Sequence, residues 1–192
     1  HGLIGDLASA TADFRDQYYG LAPHVFEREA GPDDRWPKLI TTGLVDPAQV
    51  AWGTRDTRFN KARFRHPRVD RASLPSALGA WADRRLQPKV LVATQTRVIE
   101  AVVDPTGELL PSVPLVSVSA SKPDLWRVAA ALSAPGLALE ALRRHLGSGR
   151  NPKAIRLRAA EVTDLPLPAL EEPWGEASRE LRAAHSLSLI HI

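Results

Sequence analysis

From Gln87 to Val118 the chain reads QPKVLVATQTRVIEAVVDPTGELLPSVPLVSV, three β-forming runs with one strong turn signal among them. Val90–Thr94 and Val98–Val103 are rich in branched aliphatic residues and lead into Asp104-Pro105-Thr106-Gly107. Proline presets φ early in a turn, and glycine permits a positive φ near its end. Leu109–Val118 follows as a third run. This segment constrains the chain to a strand-rich platform closed by a β-hairpin. With helical patterns on either side, the expected fold class is α+β, a small mixed or antiparallel sheet with a β-hairpin and packed helices.

The helical patterns are local and readable. Leu3, Leu7, Ala10, Phe14 and Tyr18 recur at helical spacing, with Asp6, Asp13, Arg15 and Asp16 between them, which predicts an amphipathic helix ending near Gly20. Residues 27–37 read as a polar loop, Lys38–Thr42 as a short strand and Gly43–Pro47 as a turn. Residues 51–69 are mostly β-formers and arginines, with a bend expected at Phe64. Ser73 is placed to cap a helix running to about Leu86, with Pro75 in its first turn. Ser121 and Asp124 form a capping-box pattern opening a helix through Leu132. Pro135 opens another that stops at Gly147, behind Arg143, Arg144 and His145. A short strand at 154–158, one or two helical turns at 159–164, an extended Leu165-Pro166-Leu167-Pro168 and a polar helix at 176–184 complete the pattern.

The sequence contains no cysteine, which excludes disulfides, thiolate metal sites and cysteine nucleophiles together. Its six histidines, at 1, 24, 66, 145, 185 and 191, show no metal-ligand spacing, so no metal is expected. The longest apolar stretch, residues 128–139, is interrupted by Ser133 and Pro135 and is shorter than the about 20 residues a bilayer span needs. No secretory pattern opens the chain, so the expected compartment is the cytoplasm, with no membrane partner. Methionine is absent, even at position 1, and the sequence is read as a fragment. Residues 186–192 break the preceding charged pattern; they are read as an artefact of translated adapter sequence and set aside.

Charge is concentrated in one stretch. Residues 1–37 hold 3 basic and 7 acidic side chains, whereas residues 38–98 hold 12 basic and 4 acidic. Arg55, Arg58, Lys61, Arg63, Arg65, Arg68 and Arg71 lie within 17 residues, opposed only by Asp56 and Asp70. A localised positive region on a nearly balanced chain points to a polyanion. On an extended segment Lys61, Arg63 and Arg65 project to one side, with Asn60 and Phe64 on the other. Arginine suits bidentate capture of phosphate oxygens and of guanine O6/N7. Thr94-Gln95-Thr96-Arg97 interrupts the platform with side chains that read base edges, glutamine for adenine and arginine for guanine. The alternative is a bulge with its polar groups facing water. Residues 147–153 form a Gly-rich basic loop containing Arg150 and Lys153, but the loop follows a helix instead of opening one and lacks the P-loop Gly-Lys-Ser/Thr. The five tryptophans are read as packing residues.

Several blocks in order carry a family resemblance: Phe14-Arg15-Asp16-Gln17-Tyr18-Tyr19-Gly20-Leu21, Ile40-Thr41-Thr42-Gly43-Leu44-Val45-Asp46-Pro47, Trp52-Gly53-Thr54-Arg55, residues 88–103, Leu110-Pro111-Ser112-Val113-Pro114, the paired helices around Ser133-Ala134-Pro135, and Asp164-Leu165-Pro166-Leu167-Pro168. Across about residues 10–170 the chain resembles the C-terminal target recognition region of adenine-N6 DNA methyltransferases of bacterial, actinobacterial-like restriction–modification systems. The resemblance implies site-specific double-stranded DNA as partner, with S-adenosylmethionine as the cofactor of an upstream catalytic domain. The family's Asn/Asp-Pro-Pro-aromatic motif and Gly-rich cofactor loop are absent from this sequence, so no catalytic or cofactor-binding residue transfers and the fragment alone is expected to be inactive.

The expected organisation is a helical connector at 1–25, a DNA-binding target recognition domain at 26–170 and a polar helical tail at 171–192. The expected DNA contacts are Arg55, Arg58, Lys61, Arg63, Arg65, Gln95, Thr96, Arg97, Arg150 and Lys153. The alternative function is a protein–protein interaction module of a larger restriction or phage-defence complex.

Overall fold

The computed structural model describes residues 2–13, 15–31, 35–149 and 151–188. After a 3-10 turn at Ile4–Asp6 come β1 (Ala8–Ala12), α1 (Arg15–Leu21), β2 (Val25–Glu27) and β3 (Lys38–Ile40). Two short hairpins follow, β4 (Val45–Asp46) with β5 (Gln49–Val50), and β6 (Thr57–Phe59) with β7 (Ala62–Phe64). β8 (Pro67–Val69) and α2 (Ser76–Arg85) lead to the central segment, β9 (Lys89–Ala93), β10 (Gln95–Thr96), β11 (Glu100–Asp104), β12 (Leu109–Pro111) and β13 (Val116–Ala120). α3 (Lys122–Ser133), α4 (Pro135–His145), β14 (Ile155–Arg156), α5 (Ala159–Thr163) and α6 (Glu171–Ser188) close the described chain.

The protein is α+β, as expected, but its platform is two sheets. The first is antiparallel, in the order β1-β13-β9-β11; the second is mixed, in the order β12-β3-β8-β2, with β12 parallel to β3. Alternation along β9 divides its side chains between two cores. Val90 and Val92 pack with Leu125, Val128 and Leu132 of α3, whereas Leu91 and Ala93 pack with Ile40, Leu44 and Leu115. β3 is divided in the same way, Leu39 joining Trp81 and Ala82 of α2 while Ile40 faces the first sheet. Strands covered on both faces read as continuous apolar runs, which is why β9 shows no polar alternation. Each fully buried valine or leucine contributes about 1.5–3 kcal/mol.

At the end of the β9–β11 pair, Lys89 and Asp104 face each other in register, both buried, with Nζ 2.5 Å from Oδ2. Asp104 Oδ1 also accepts the amides of Gly107 (2.9 Å) and Glu108 (3.1 Å), and Oδ2 that of Leu109 (3.0 Å). Gly107 sits at φ +79°, and a Cβ there meets Gln87 backbone at 2.9 Å, so the position requires glycine. The turn therefore forms where expected but closes no hairpin onto β12. Its amides bond to the Asp104 carboxylate, and the chain leaves β11 for the second sheet. β12 ends at Pro111, and Leu115 N donates to Ser112 O before β13 rejoins the first sheet. The run 109–118 is thus two strands in different sheets, split at the prolines that cannot donate to a ladder.

The expected helix over residues 3–18 is not formed. Ala8–Ala12 pairs with β13, Ala10 opposite Val118, and only Arg15–Leu21 is helical; Phe14 lies outside the described residues. Serine and threonine are poor helix formers. The Ala-Ser-Ala-Thr-Ala run gains more from turning Ala8 and Ala10 into the core of the first sheet, beside α5, than from a helix face. The N-terminal segment also bonds to the Leu-Pro-Leu-Pro stretch, Ile4 N to Leu165 O and Leu167 N to Gly2 O, both at 2.9 Å. Residues 2–12 are woven into the fold and form no helical connector. Of the expected caps, Ser121 accepts Asp124 N, whereas Ser73 ends a 3-10 turn and α2 starts at Ser76. α6 begins earlier than expected, at Glu171, and packs on α3 through the buried Trp174; it includes residues 186–188, while residues 189–192 lie outside the described part. Among the described residues no single helix is long and apolar enough to cross a membrane.

Removing Asp104 strands a buried ammonium whose other partner is Gln87 O at 3.2 Å. Burial already pushes the Lys89 ammonium below its usual range, against the pull of Asp104. Asp104→Asn is therefore expected to cost about 3–5 kcal/mol. Lys89→Met is expected to cost clearly less, because Asp104 keeps three backbone donors. Urea unfolding of the two variants checks the order, and the reverse order contradicts this account of the crossover.

Candidate nucleic-acid interface

The densest part of the basic run folds as the β6–β7 hairpin. Its two-residue turn places Asn60 at φ +45° and Lys61 at φ +69°, the left-handed pair that a type I′ turn needs and that asparagine tolerates. Tyr18 Oη accepts the Asn60 amide at 2.8 Å and its ring packs on Phe59, centroids 4.6 Å apart, which pins the turn to α1. Thr57 and Phe59 are buried and Phe64 is half-buried, while Arg58 and Arg63 are exposed and directly opposite one another. Like charges facing each other across a strand pair are destabilising. Arg58 has no hydrogen-bond or ion-pair partner among the described residues, and Arg63 has only Asp56, 3.7 Å away.

The other arginines of the run have structural partners. Arg55 forms a two-pronged pair with Asp46 (3.0 and 2.6 Å) and donates to Gly43 O; that hydrogen-bonded pair raises its pKa above the ordinary value. Arg68 is buried and donates to Arg28 O and Trp36 O, its guanidinium 4.7 Å from the Trp52 ring centre. Arg71 Nε donates to Asp83 at 2.7 Å. Arg65 is intermediate: it donates to Gly53 O (3.0 Å) and lies 3.8 Å from Asp56, with more than half of its side chain exposed. Lys61 occupies the turn, so the expected extended Lys61-Arg63-Arg65 face is corrected to Arg58 and Arg63 on the outer face of a hairpin with Lys61 at its tip.

The Gln95–Arg97 segment leaves the first sheet as β10, which pairs with β14, Gln95 opposite Arg156. The Thr96 hydroxyl donates to Val98 O and the residue is buried, so the expected base-reading role for Thr96 is corrected to a structural one. Arg97, Lys153 and Arg156 are exposed, and none has a side-chain partner among the described residues. Arg156 was not singled out from the sequence, although a buried-exposed alternation with Ile155 signals it. Arg150 lies outside the described residues. Asp46 and Arg55 both lie close enough to Glu100 of β11 to act on its carboxyl. Arg65 bonds the Gly53 carbonyl two residues before Arg55. Glu100, three residues after Arg97, has its pKa raised by burial and by Asp46, and lowered in part by Arg55.

Beside the hairpin a groove of about 350 Å³ is lined by Tyr18, Thr41, Thr42, Thr57, Arg58 and Ser112. Thr41 and Thr57 share a hydrogen bond of 2.5 Å at its base. In the Gly-rich loop the Gly147 and Gly149 amides both donate to Ala154 O. Among the described residues no three His, Asp or Glu side chains are grouped as metal ligands. A scan against protein-family models finds no match to this chain, and a search of curated proteins finds none either.

The hairpin geometry fixes two stability outcomes. Arg58→Glu replaces a like-charge pair with a cross-strand ion pair and is expected to leave stability unchanged or raise it by about 0.2–1 kcal/mol. Lys61→Gly relieves a left-handed side chain and is expected to stabilise by up to about 1 kcal/mol. Thermal unfolding checks both, and a large loss in either variant contradicts the assigned geometry.

Proposed function

We propose that the chain is the DNA-binding target recognition part of a site-specific adenine-N6 DNA methyltransferase, whose catalytic motifs this chain lacks. The observation that carries the reading is the Arg58/Arg63 pair, two exposed guanidiniums held opposite one another with no adequate carboxylate. An arrangement that costs the free protein stability is resolved by a polyanion. A two-stranded ribbon fits the roughly 12 Å major groove of B-DNA. In this reading Arg58 and Arg63 enter the groove, and Lys61 and Arg65 hold phosphates and set the register. Gln95, Arg97, Lys153 and Arg156 extend the contact. A domain outside this chain would then extrude the adenine, and S-adenosylmethionine held there would supply the methyl group.

Retention of a duplex at low salt tests the reading. Arg58→Glu is expected to weaken retention by roughly tenfold or more. Arg143→Glu, the same charge change on α4 where Glu140 already pairs the arginine, is expected to change it little. Equal effects of the two variants reduce the interaction to net charge. Unchanged retention in Arg58→Glu overturns the proposed interface.

A further inference from the structure

A second set of unmatched cations lies on the far face of the first sheet, between α3 and α6. α6 is seated there by Trp174, whose indole Nε1 donates to Arg127 O at 2.7 Å. The Arg127 guanidinium covers the same indole, 4.2 Å from the ring centre, and pairs with Glu171. Next to this contact is a groove of about 340 Å³, lined by Lys122, Arg127, Arg179 and Arg182, with Pro123 and Trp126 as an apolar wall. Glu171 is the one carboxylate in the lining, and it is already committed to Arg127.

Three further observations bear on what the groove takes. Lys122, Arg179 and Arg182 make no side-chain hydrogen bond or ion pair among the described residues. Arg127 Nε is buried with no acceptor among the described residues, and its guanidinium is fixed between Trp174 and Glu171. Gly175 stands inside α6 on the groove lining, where glycine weakens a helix. A Cβ there would lie 3.6 Å from an Arg179 guanidinium nitrogen, so the missing side chain is what leaves room beside that group.

We propose that this groove binds a phosphate group at a site separate from the β6–β7 hairpin. Guanidinium forks match phosphate oxygens in pairs. Arg127 is held in advance by Trp174 and Glu171, and Arg179, Arg182 and Lys122 supply the rest of the charge. The groove helices pack on the core that contains Trp126 and Trp174, whereas the hairpin packs through Phe59 on a different core. The phosphate comes either from a free phosphate compound or from a nucleic-acid strand passing over α3 and α6.

Thermal unfolding in rising inorganic phosphate, against sodium chloride at matched ionic strength, tests the proposal. The wild-type chain is expected to gain stability saturably with phosphate and not with chloride. Arg179→Glu with Arg182→Glu is expected to weaken that response at least tenfold, and Arg58→Glu to leave it intact. Gly175→Gln adds a side chain in the groove without changing charge, and a glutamine favours the helix. It is expected to lose the phosphate response while remaining folded, which separates ligand loss from misfolding. A 5′-phosphorylated single-stranded oligonucleotide distinguishes the sources: tenfold tighter binding than inorganic phosphate, lost in Gly175→Gln, assigns the site to a strand, and failure to compete assigns it to a free compound. A response that does not saturate, is matched by chloride, or persists in both groove variants overturns the proposal. Loss of DNA retention in Arg58→Glu does not bear on it.

Discussion

The fold depends on one buried ion pair. Lys89 and Asp104 close the end of the β9–β11 ladder, and the same carboxylate takes the three amides that begin the crossover to β12. Those amides cannot also extend a hairpin, so the chain must leave the first sheet. The parallel β12–β3 pair and the core around Ile40, Leu44 and Leu115 follow from that departure. Buried pairs are weak sources of net stability, and their attested value lies in specifying one arrangement. Here the arrangement specified is two stacked sheets in place of one extended meander. The hairpin that carries the unmatched arginines packs its Phe59 into the core of that second sheet.

The basic run does two jobs. Arg55, Arg68 and Arg71 hold backbone and helices together through Asp46, main-chain carbonyls and Asp83. Arg58, Lys61 and Arg63 are left to solvent, and the register of the two-stranded ribbon makes Arg58 and Arg63 face each other. Total charge density is therefore a poor guide to binding capacity, and the number of cations without a partner is the useful quantity. The groove between α3 and α6 illustrates the same point on a surface that net charge hides, because residues 171–192 are net acidic.

Local chemistry was legible in the sequence. The Asp104–Gly107 turn, the Ser121 cap and the Pro135 helix start each depend on residues within a few positions of one another, and all three stand. What needed partners far along the chain was not legible. Ala8–Ala12 became a strand because β13 offers it an edge, and nothing in its own spacing says so. The turn was visible, but its destination depended on Asp104 taking its amides. The cluster of arginines was visible too, yet Asp46 and Asp83 lie 9 and 12 residues from the groups they neutralise. Tyr18 was read as one side of a helix, and its role as the acceptor that pins the Asn60 turn required the folded chain.

The central proposal is that the exposed cations with no close carboxylate, Arg63 and Arg65 lying 3.7 and 3.8 Å from Asp56, and not the basic run as a whole, engage nucleic acid. The salt dependence of duplex affinity tests it most directly. If Arg58, Lys61, Arg63, Arg65 and Arg97 each displace a counterion, log K falls against log salt with a slope of about −4 to −5. Arg58→Gln should then reduce that slope by about 1, while Arg71→Gln, whose charge Asp83 already matches, should leave it unchanged. A slope near zero, or an equal reduction from both substitutions, contradicts the account.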